Sequence, residues 1–176
     1  MSERTPPPRD TVAGGHQGSS GAGGPESSDA SSNITALSHI AIAVREADPL
    51  VNLLVSALGA TRGHEELLDQ GALRVVFVHL GPVTLELLEP RSAEHTVATF
   101  LDARGPGLHH VSLEVRDIAA QLAQARAAGA RLIDEVPRPG AHGTQVAFLH
   151  PKSPGGVLVE LCQGPPAGSG EEHRRT

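Results

Sequence analysis

Leu37-Ser38-His39-Ile40-Ala41-Ile42-Ala43-Val44-Arg45 and Leu108-His109-His110-Val111-Ser112-Leu113-Glu114-Val115-Arg116 are one pattern written twice, with its histidines 71 residues apart. Each copy opens on Leu, carries a histidine two residues later and closes on Val-Arg. In the first, Ile40, Ile42 and Val44 alternate with His39, Ala41 and Ala43, the two-residue period of a strand with one face toward a core. His39 therefore shares a face with small residues. In the second copy His110 is expected beside Ser112 and Glu114, and His109 on the opposite face with Val111, Leu113 and Val115.

Outward from each copy the chain keeps the same order. After the first, Asp48-Pro49 supplies an N-cap and a first-turn proline, Leu50, Leu53, Leu54 and Leu58 follow at helical spacing, and Gly59 ends the helix. Three strands are expected next, over 61–67, 73–80 and 83–89, the last two divided by the turn dipeptide Gly81-Pro82. After the second copy come Asp117 as cap, an Ala-rich helix ending at Gly129, and strands near 131–136, 144–149 and 157–162. Each half reads βαβββ. The expected fold is α+β, two such modules in tandem (about 36–89 and 108–162) forming a cupped mixed sheet. A structural linking helix over 92–103, capped by Ser92, is expected between them.

The final strands echo each other as well: Leu85-Glu86-Leu87 returns as Val159-Glu160-Leu161. Each half thus carries one histidine and one glutamate, and a pseudo-two-fold axis would bring all four to one place. Taken singly, each histidine fits as a hydrogen-bonded core residue and each glutamate as an edge-strand charge that discourages aggregation. Their recurrence at matched positions points instead to a metal site, with an unpaired glutamate in a β-run otherwise expensive. Two imidazoles and two carboxylates suit a roughly octahedral divalent ion such as Co, Ni, Mn, Zn or Fe(II), with two positions left open for water or a bidentate substrate.

Bulk composition narrows the function classes. The chain has 176 residues, a formal charge of −6 and 14 Lys and Arg spread along it, with no Trp or Tyr. Nucleic-acid binding is not expected without a clustered basic face or stacking residues. The single cysteine, Cys162, has no disulfide or zinc-motif partner, which fits a reducing cytoplasm. No apolar run reaches the roughly 18 to 20 residues that span a bilayer, and no secretory signal is visible. Residues 1–34 and 164–176 are rich in Gly, Ser, Pro and charge, and are expected to be disordered on either side of one folded domain, 35–163.

Other residues attract notice without a pattern to fix them. His142 and Gly143, in Gly140-Ala141-His142-Gly143, are candidates for a substrate entrance, although a loop histidine between glycines often has no role. Lys152 and Ser153, in His150-Pro151-Lys152-Ser153, are candidates for an acidic ligand group; a solvated turn lysine is the plain alternative. His64, His79 and His95 read as surface residues.

The paired modules, with His on the first strand and Glu on the last, resemble the vicinal oxygen chelate superfamily, which includes glyoxalase I, extradiol dioxygenases and bleomycin-resistance proteins. The closer resemblance is to the methylmalonyl-CoA epimerase family. It rests on Leu37 to Val44, Leu87-Leu88-Glu89-Pro90, Gly107 to Val111, Ile133 to Gly143, and above all Phe148-Leu149-His150-Pro151-Lys152-Ser153 followed by Gly156 to Leu161. It covers about 36–163.

That resemblance implies an isomerase acting on an acyl-CoA thioester in propionate metabolism, interconverting (R)- and (S)-methylmalonyl-CoA through a metal-stabilised enediolate. It implies one divalent ion, cobalt first, with Mn, Ni, Zn or Fe as alternatives, on His39, Glu86, His110 and Glu160. Glu160 is also implied as a catalytic base, and the assembly as a homodimer. A family glutamate implied as the opposing base falls around Leu73 to Val76, where this chain has no acid; Glu66 and Asp69 lie just upstream. A glyoxalase I-type lyase acting on a glutathione hemithioacetal and a metal-free sequestering protein of the bleomycin-resistance type are the alternatives.

Overall fold

A computed structural model describes residues 32–153 and 155–164, so the two terminal stretches expected to be disordered lie, but for 32–34 and Gly164, outside the described residues. The first strand, β1 (Ile34–Ala43), begins one residue ahead of the expected domain start. It is followed by α1 (Asp48–Asn52), β2 (Thr61–Leu68), β3 (Leu73–Leu80) and β4 (Val83–Pro90). A connecting helix α2 (Thr96–Arg104) leads to β5 (Gly107–Val115), α3 (Ile118–Ala127), β6 (Arg138–Pro139), β7 (Gln145–Leu149) and β8 (Val159–Gln163).

All eight strands form one sheet in the order β2-β3-β4-β1-β5-β8-β7-β6. The pairings repeat across its centre. β1 runs parallel to β4 as β5 runs parallel to β8, the outer strands pair antiparallel in both halves, and β1 and β5 meet antiparallel at the seam. The duplication in the sequence is therefore a duplication of hydrogen-bond topology.

The alternation of β1 sorts two layers. Ile40, Ile42 and Val44 pack with Val51, Val76, Val78, Leu85 and Leu87 on the side covered by α1. Ala41 and Ala43 face the other way, with Val75, Phe77 and Leu88, and meet Val97 and Leu101 of α2. In the second half α3 covers the outer side through Ile118 and Leu122 against Val115, Ala147 and Leu161. Helices α1 and α3 thus back the sheet, while α2 packs on its inner face.

Several local expectations need correction. Ala47, not Asp48, precedes α1 at the cap: its N–H donates to Glu89 Oε2 (2.8 Å), and the Asp48 carboxylate is drawn away by Arg74 (3.0 Å). The helix then widens into a π turn over Leu53–Ala57, which leaves Leu53 and Leu58 exposed. Helix α2 starts four residues later than expected. His95 caps it by accepting from Val97 N–H (3.1 Å), because Ser92 is engaged with Glu94. The strand expected near 131–136 is absent; Leu132 makes an isolated bridge to Leu149, and the strand that pairs with β7 is only Arg138–Pro139. Ile133 and Asp134 N–H both donate to Phe148 O (2.9 and 3.3 Å), so the segment touches β7 without pairing residue for residue, and Pro137 and Pro139 beyond it have no N–H to extend the ladder. No helix among the described residues is long and apolar enough to cross a membrane.

Candidate metal centre and substrate cavity

Strand register explains why the four donors meet. In the first half Ala41 pairs with Glu86, so Glu86 lies beside the residue two positions after His39 and on the same face. In the second half Ser112 pairs with Glu160, the same relationship to His110. Across the seam His39 pairs with Ser112 and Ala41 with His110, which sets the two histidines diagonally opposed. Side-chain geometry follows. His39 Nε2 is 3.2 Å from His110 Nε2, 3.3 Å from Glu86 Oε2 and 3.2 Å from Glu160 Oε2, and His110 Nε2 is 3.8 Å from Glu160 Oε2.

All four residues are buried. Donors about 2.1 Å from a common ion and at right angles around it stand roughly 3 Å apart, close to the spacing here. His39 Nδ1 lies 3.2 Å from Ser38 Oγ and His110 Nδ1 lies 2.9 Å from His109 Nδ1. If the Nδ1 positions carry the ring protons, the two Nε2 lone pairs face each other across 3.2 Å, an arrangement that a cation between them resolves. Glu160 Oε2 is buried and makes no hydrogen bond among the described residues. Two imidazoles and two carboxylates, one with an orphaned oxygen, with no buried Lys or Arg beside them among the described residues, fit a divalent cation.

Electrostatics divide the four groups. Burial, with Glu160 and Glu66 nearby, pushes the Glu86 carboxyl up to about 7 against the pull of His39. Burial pushes His110 down to about 3, helped by His39 and His109. For His39 burial acts downward, but the Glu160 and Glu86 carboxylates outweigh it and raise the ring. Burial would raise Glu160, yet His39, His110 and Ser112 hold it below its ordinary value.

The four donors lie in a cavity of about 720 Å³ between the inner face of the sheet and α2. His142 lines it, and Gly143 completes the turn behind it in the left-handed conformation (φ 71°). Lys152 and Ser153 are placed elsewhere, in an outer depression with Ala128 to Arg131, where Ser153 Oγ accepts from Arg131 N–H (2.6 Å). The structure does not bring them to the four-donor cluster.

Four further histidines also line the cavity: His109, which parity assigned to the far face, and His64, His79 and His95, which carry no sequence pattern and read as surface residues. Irregular pairing is the reason for two of them. Between the pairs Ala41 with His110 and Ile42 with Leu108, His109 has no partner, and between Arg62 with Val78 and Glu65 with Val76 the first strand has one residue too many, at Gly63-His64. Each bulge re-aims a side chain toward the cavity. Gly63 permits the second, since a Cβ there would stand 2.8 Å from His79 Nε2. No motif in the sequence marked either bulge.

Residues 38–148 match the family model for the glyoxalase/bleomycin resistance protein/dioxygenase superfamily. The chain belongs to this superfamily. Among its members, the human mitochondrial methylmalonyl-CoA epimerase is 39% identical over 132 residues, covering 74% of this chain and 75% of that protein. The crystal structure of methylmalonyl-CoA epimerase from Mycobacterium tuberculosis superposes with a TM-score of 0.72 at 34% identity, over 78% of this chain and 93% of that one. A Streptomyces coelicolor methylmalonyl-CoA epimerase variant in complex with 2-nitronate-propionyl-CoA superposes with a TM-score of 0.70 at 31% identity, over 74% and 95%. The cupped eight-stranded sheet is thus a superfamily fold, and it carries the resemblance read from the sequence.

Proposed function

We propose that this enzyme interconverts the (R) and (S) epimers of methylmalonyl-CoA by removing the C2 proton and returning it on the opposite face. The observation that supports this most is the meeting of His39, Glu86, His110 and Glu160 within a cavity of about 720 Å³, in a chain similar to methylmalonyl-CoA epimerases over three quarters of its length. A divalent ion held by those four residues would supply fixed positive charge beside the oxygens on which negative charge develops, the electrostatic contribution that is usually largest in such reactions. Such an ion would also be able to hold the carboxylate and thioester oxygens that flank C2 of the substrate.

Glu160 is the base in this reading. Its carboxyl is held below the ordinary range, so it is ionised at neutral pH and able to take a proton, and its Oε2 is free of hydrogen bonds. Phe148, paired with Glu160 in the sheet and set edge-on to His110 (5.2 Å), walls that side of the cavity. Arg138 lies over the Phe148 ring (5.3 Å) at the rim, a guanidinium able to meet the anionic part of an acyl-CoA. Cys162, buried and unpaired, is consistent with a reducing cytoplasm.

The test offers single epimers of methylmalonyl-CoA to the purified protein and, in parallel, methylglyoxal with glutathione. Interconversion that is lost on dialysis against a chelator and restored by Co, Mn, Ni, Zn or Fe(II) supports the reading. Hemithioacetal turnover without epimerisation, or full activity in chelated protein, overturns it.

A further inference from the structure

A proton removed from one face of C2 is most directly returned on the other by a second acid/base across from the first, and Leu73 to Val76 hold no acid. Along the sheet, the donor strands run β4, β1, β5, β8, with Glu160 on β8 at one flank. Beyond the other flank lies β3, where Phe77 is paired with Glu86. His142 packs on that Phe77 ring (5.2 Å) and lines the same cavity. It belongs to the loop after β6 but touches β2 and β3, at the far end of the sheet from Glu160.

His142 is also held in place as an acid/base needs to be. Its Nδ1 lies 2.8 Å from Glu66 Oε1, and the His64 ring, stacked on Phe77 (4.1 Å), meets it edge-on at 4.0 Å. A proton on Nδ1 shared with Glu66 leaves Nε2 as the reactive nitrogen. The backbone supports the placement. His142 sits in the left-handed region (φ 54°), and its turn is locked by Gly140 N–H to Thr144 O (2.9 Å) and Thr144 Oγ1 to Ala141 O (2.7 Å).

We propose that His142, positioned by Glu66, is the second acid/base, working opposite Glu160 across the donor cluster. The inference rests on the epimerase reading above. In one direction the C2–H bond breaks, its proton goes to the Glu160 carboxylate and its electron pair into the enediolate. The His142 imidazolium then gives its Nε2 proton to C2 on the other face and is left neutral. In the reverse direction neutral His142 takes the proton and the Glu160 carboxylic acid returns one, so no co-reactant is needed.

The experiment measures, in D2O, both epimer interconversion and deuterium entry at C2 of each epimer, for wild type, His142→Gln and Glu66→Gln. The His142 side chain is 45% exposed, so its replacement leaves the core untouched. Wild-type interconversion is the control: its absence defeats the epimerase reading, not this one. With it present, His142→Gln is expected to slow interconversion by roughly 10² to 10⁴-fold while one epimer still exchanges its C2 proton through Glu160. Glu66→Gln is expected to show the same one-sided pattern with a smaller loss. Wild-type rates in His142→Gln, or equal loss of exchange in both epimers, overturn the proposal. So does a metal content of two ions per wild-type chain that falls to one in His142→Gln, since His64, Glu66 and His142 would then be a metal site.

Discussion

His109 and His110 are neighbours in the chain, yet both rings reach the same cavity and stand Nδ1 to Nδ1 at 2.9 Å. The bulge in β5 makes this possible, and its effect is to give the buried His110 ring a partner on the nitrogen that does not face the other donors. His109 is itself braced edge-on against Phe100 (4.9 Å) on α2. Helix α2 therefore reaches the donor cluster through two side chains.

A partner on the outer nitrogen of a ligating histidine fixes its tautomer and direction, and losing such a partner typically costs 10- to 100-fold in metal affinity. His109→Phe keeps the packing against Phe100 and removes the nitrogen. It is expected to weaken metal binding by about that factor while the circular dichroism spectrum stays unchanged, as a competition titration with a chromophoric chelator would show. Unaltered affinity would mean that His109 serves packing alone.

Glu160→Ala is expected to abolish exchange of the C2 proton through the Glu160 face and to lower metal occupancy, with the fold retained. Removing a carboxylate from a buried cluster in which Glu86 and Glu160 repel one another relieves that repulsion, so thermal stability of the metal-free protein should not fall. Proton exchange by mass spectrometry and a melting curve check the two halves of this prediction independently.

Arg138 is the sole Lys or Arg among the described residues that line the cavity. Arg138→Ala should raise KM for methylmalonyl-CoA by about tenfold, the value of a charge-assisted hydrogen bond, with little change in kcat. A fall in kcat at constant KM would place the guanidinium at the reacting carbon instead of the rim.

Arg74 hydrogen-bonds Glu65 (2.9 Å), Asp48 (3.0 Å) and Glu89 (3.0 Å), tying β3 to β2, β4 and α1. Its guanidinium holds the Asp48 and Glu65 carboxyls below their ordinary values. Groups whose folded pKa is depressed contribute stability above their unfolded pKa, about 4 here, and lose it as pH falls through the folded values. Arg74→Met should therefore lower the urea midpoint at pH 7. Between pH 6 and 3 its midpoint should also fall less steeply than that of the wild type.

The two halves and their donors were legible because the parallel pairings of β1 with β4 and β5 with β8, which place Glu86 and Glu160, carry no register shift. Period-two alternation put His39 with Ala41, and Glu86 with Thr84 and Leu88, on one face, and the repeat identified the partners. What stayed hidden depends on single extra residues. At His109 a bulge reverses the parity that placed it on the far face, and at Gly63-His64 another turns toward the cavity a histidine that no pattern marked. The segment from Arg131 to Val136 misled in the opposite way: its alternation suits a strand, but Ile133 and Asp134 N–H converge on the one carbonyl of Phe148 in place of a ladder, and Ile133 and Val136 are exposed. His142 was noticed for its glycine-flanked loop, while its tie to Glu66, 76 positions earlier (142 − 66), exists only once the sheet curls.

The seam between β1 and β5 lies inside one polypeptide. His39 and Glu86 reach the centre from one side of that join and His110 and Glu160 from the other, so a single chain supplies all four candidate donors. Whether or not a second copy docks elsewhere, occupancy should scale with chain number and survive dilution. The outer strands of each half, β2 and β3 on one side and β7 and β6 on the other, carry none of the four donors, so the cluster's geometry is set at the shared join.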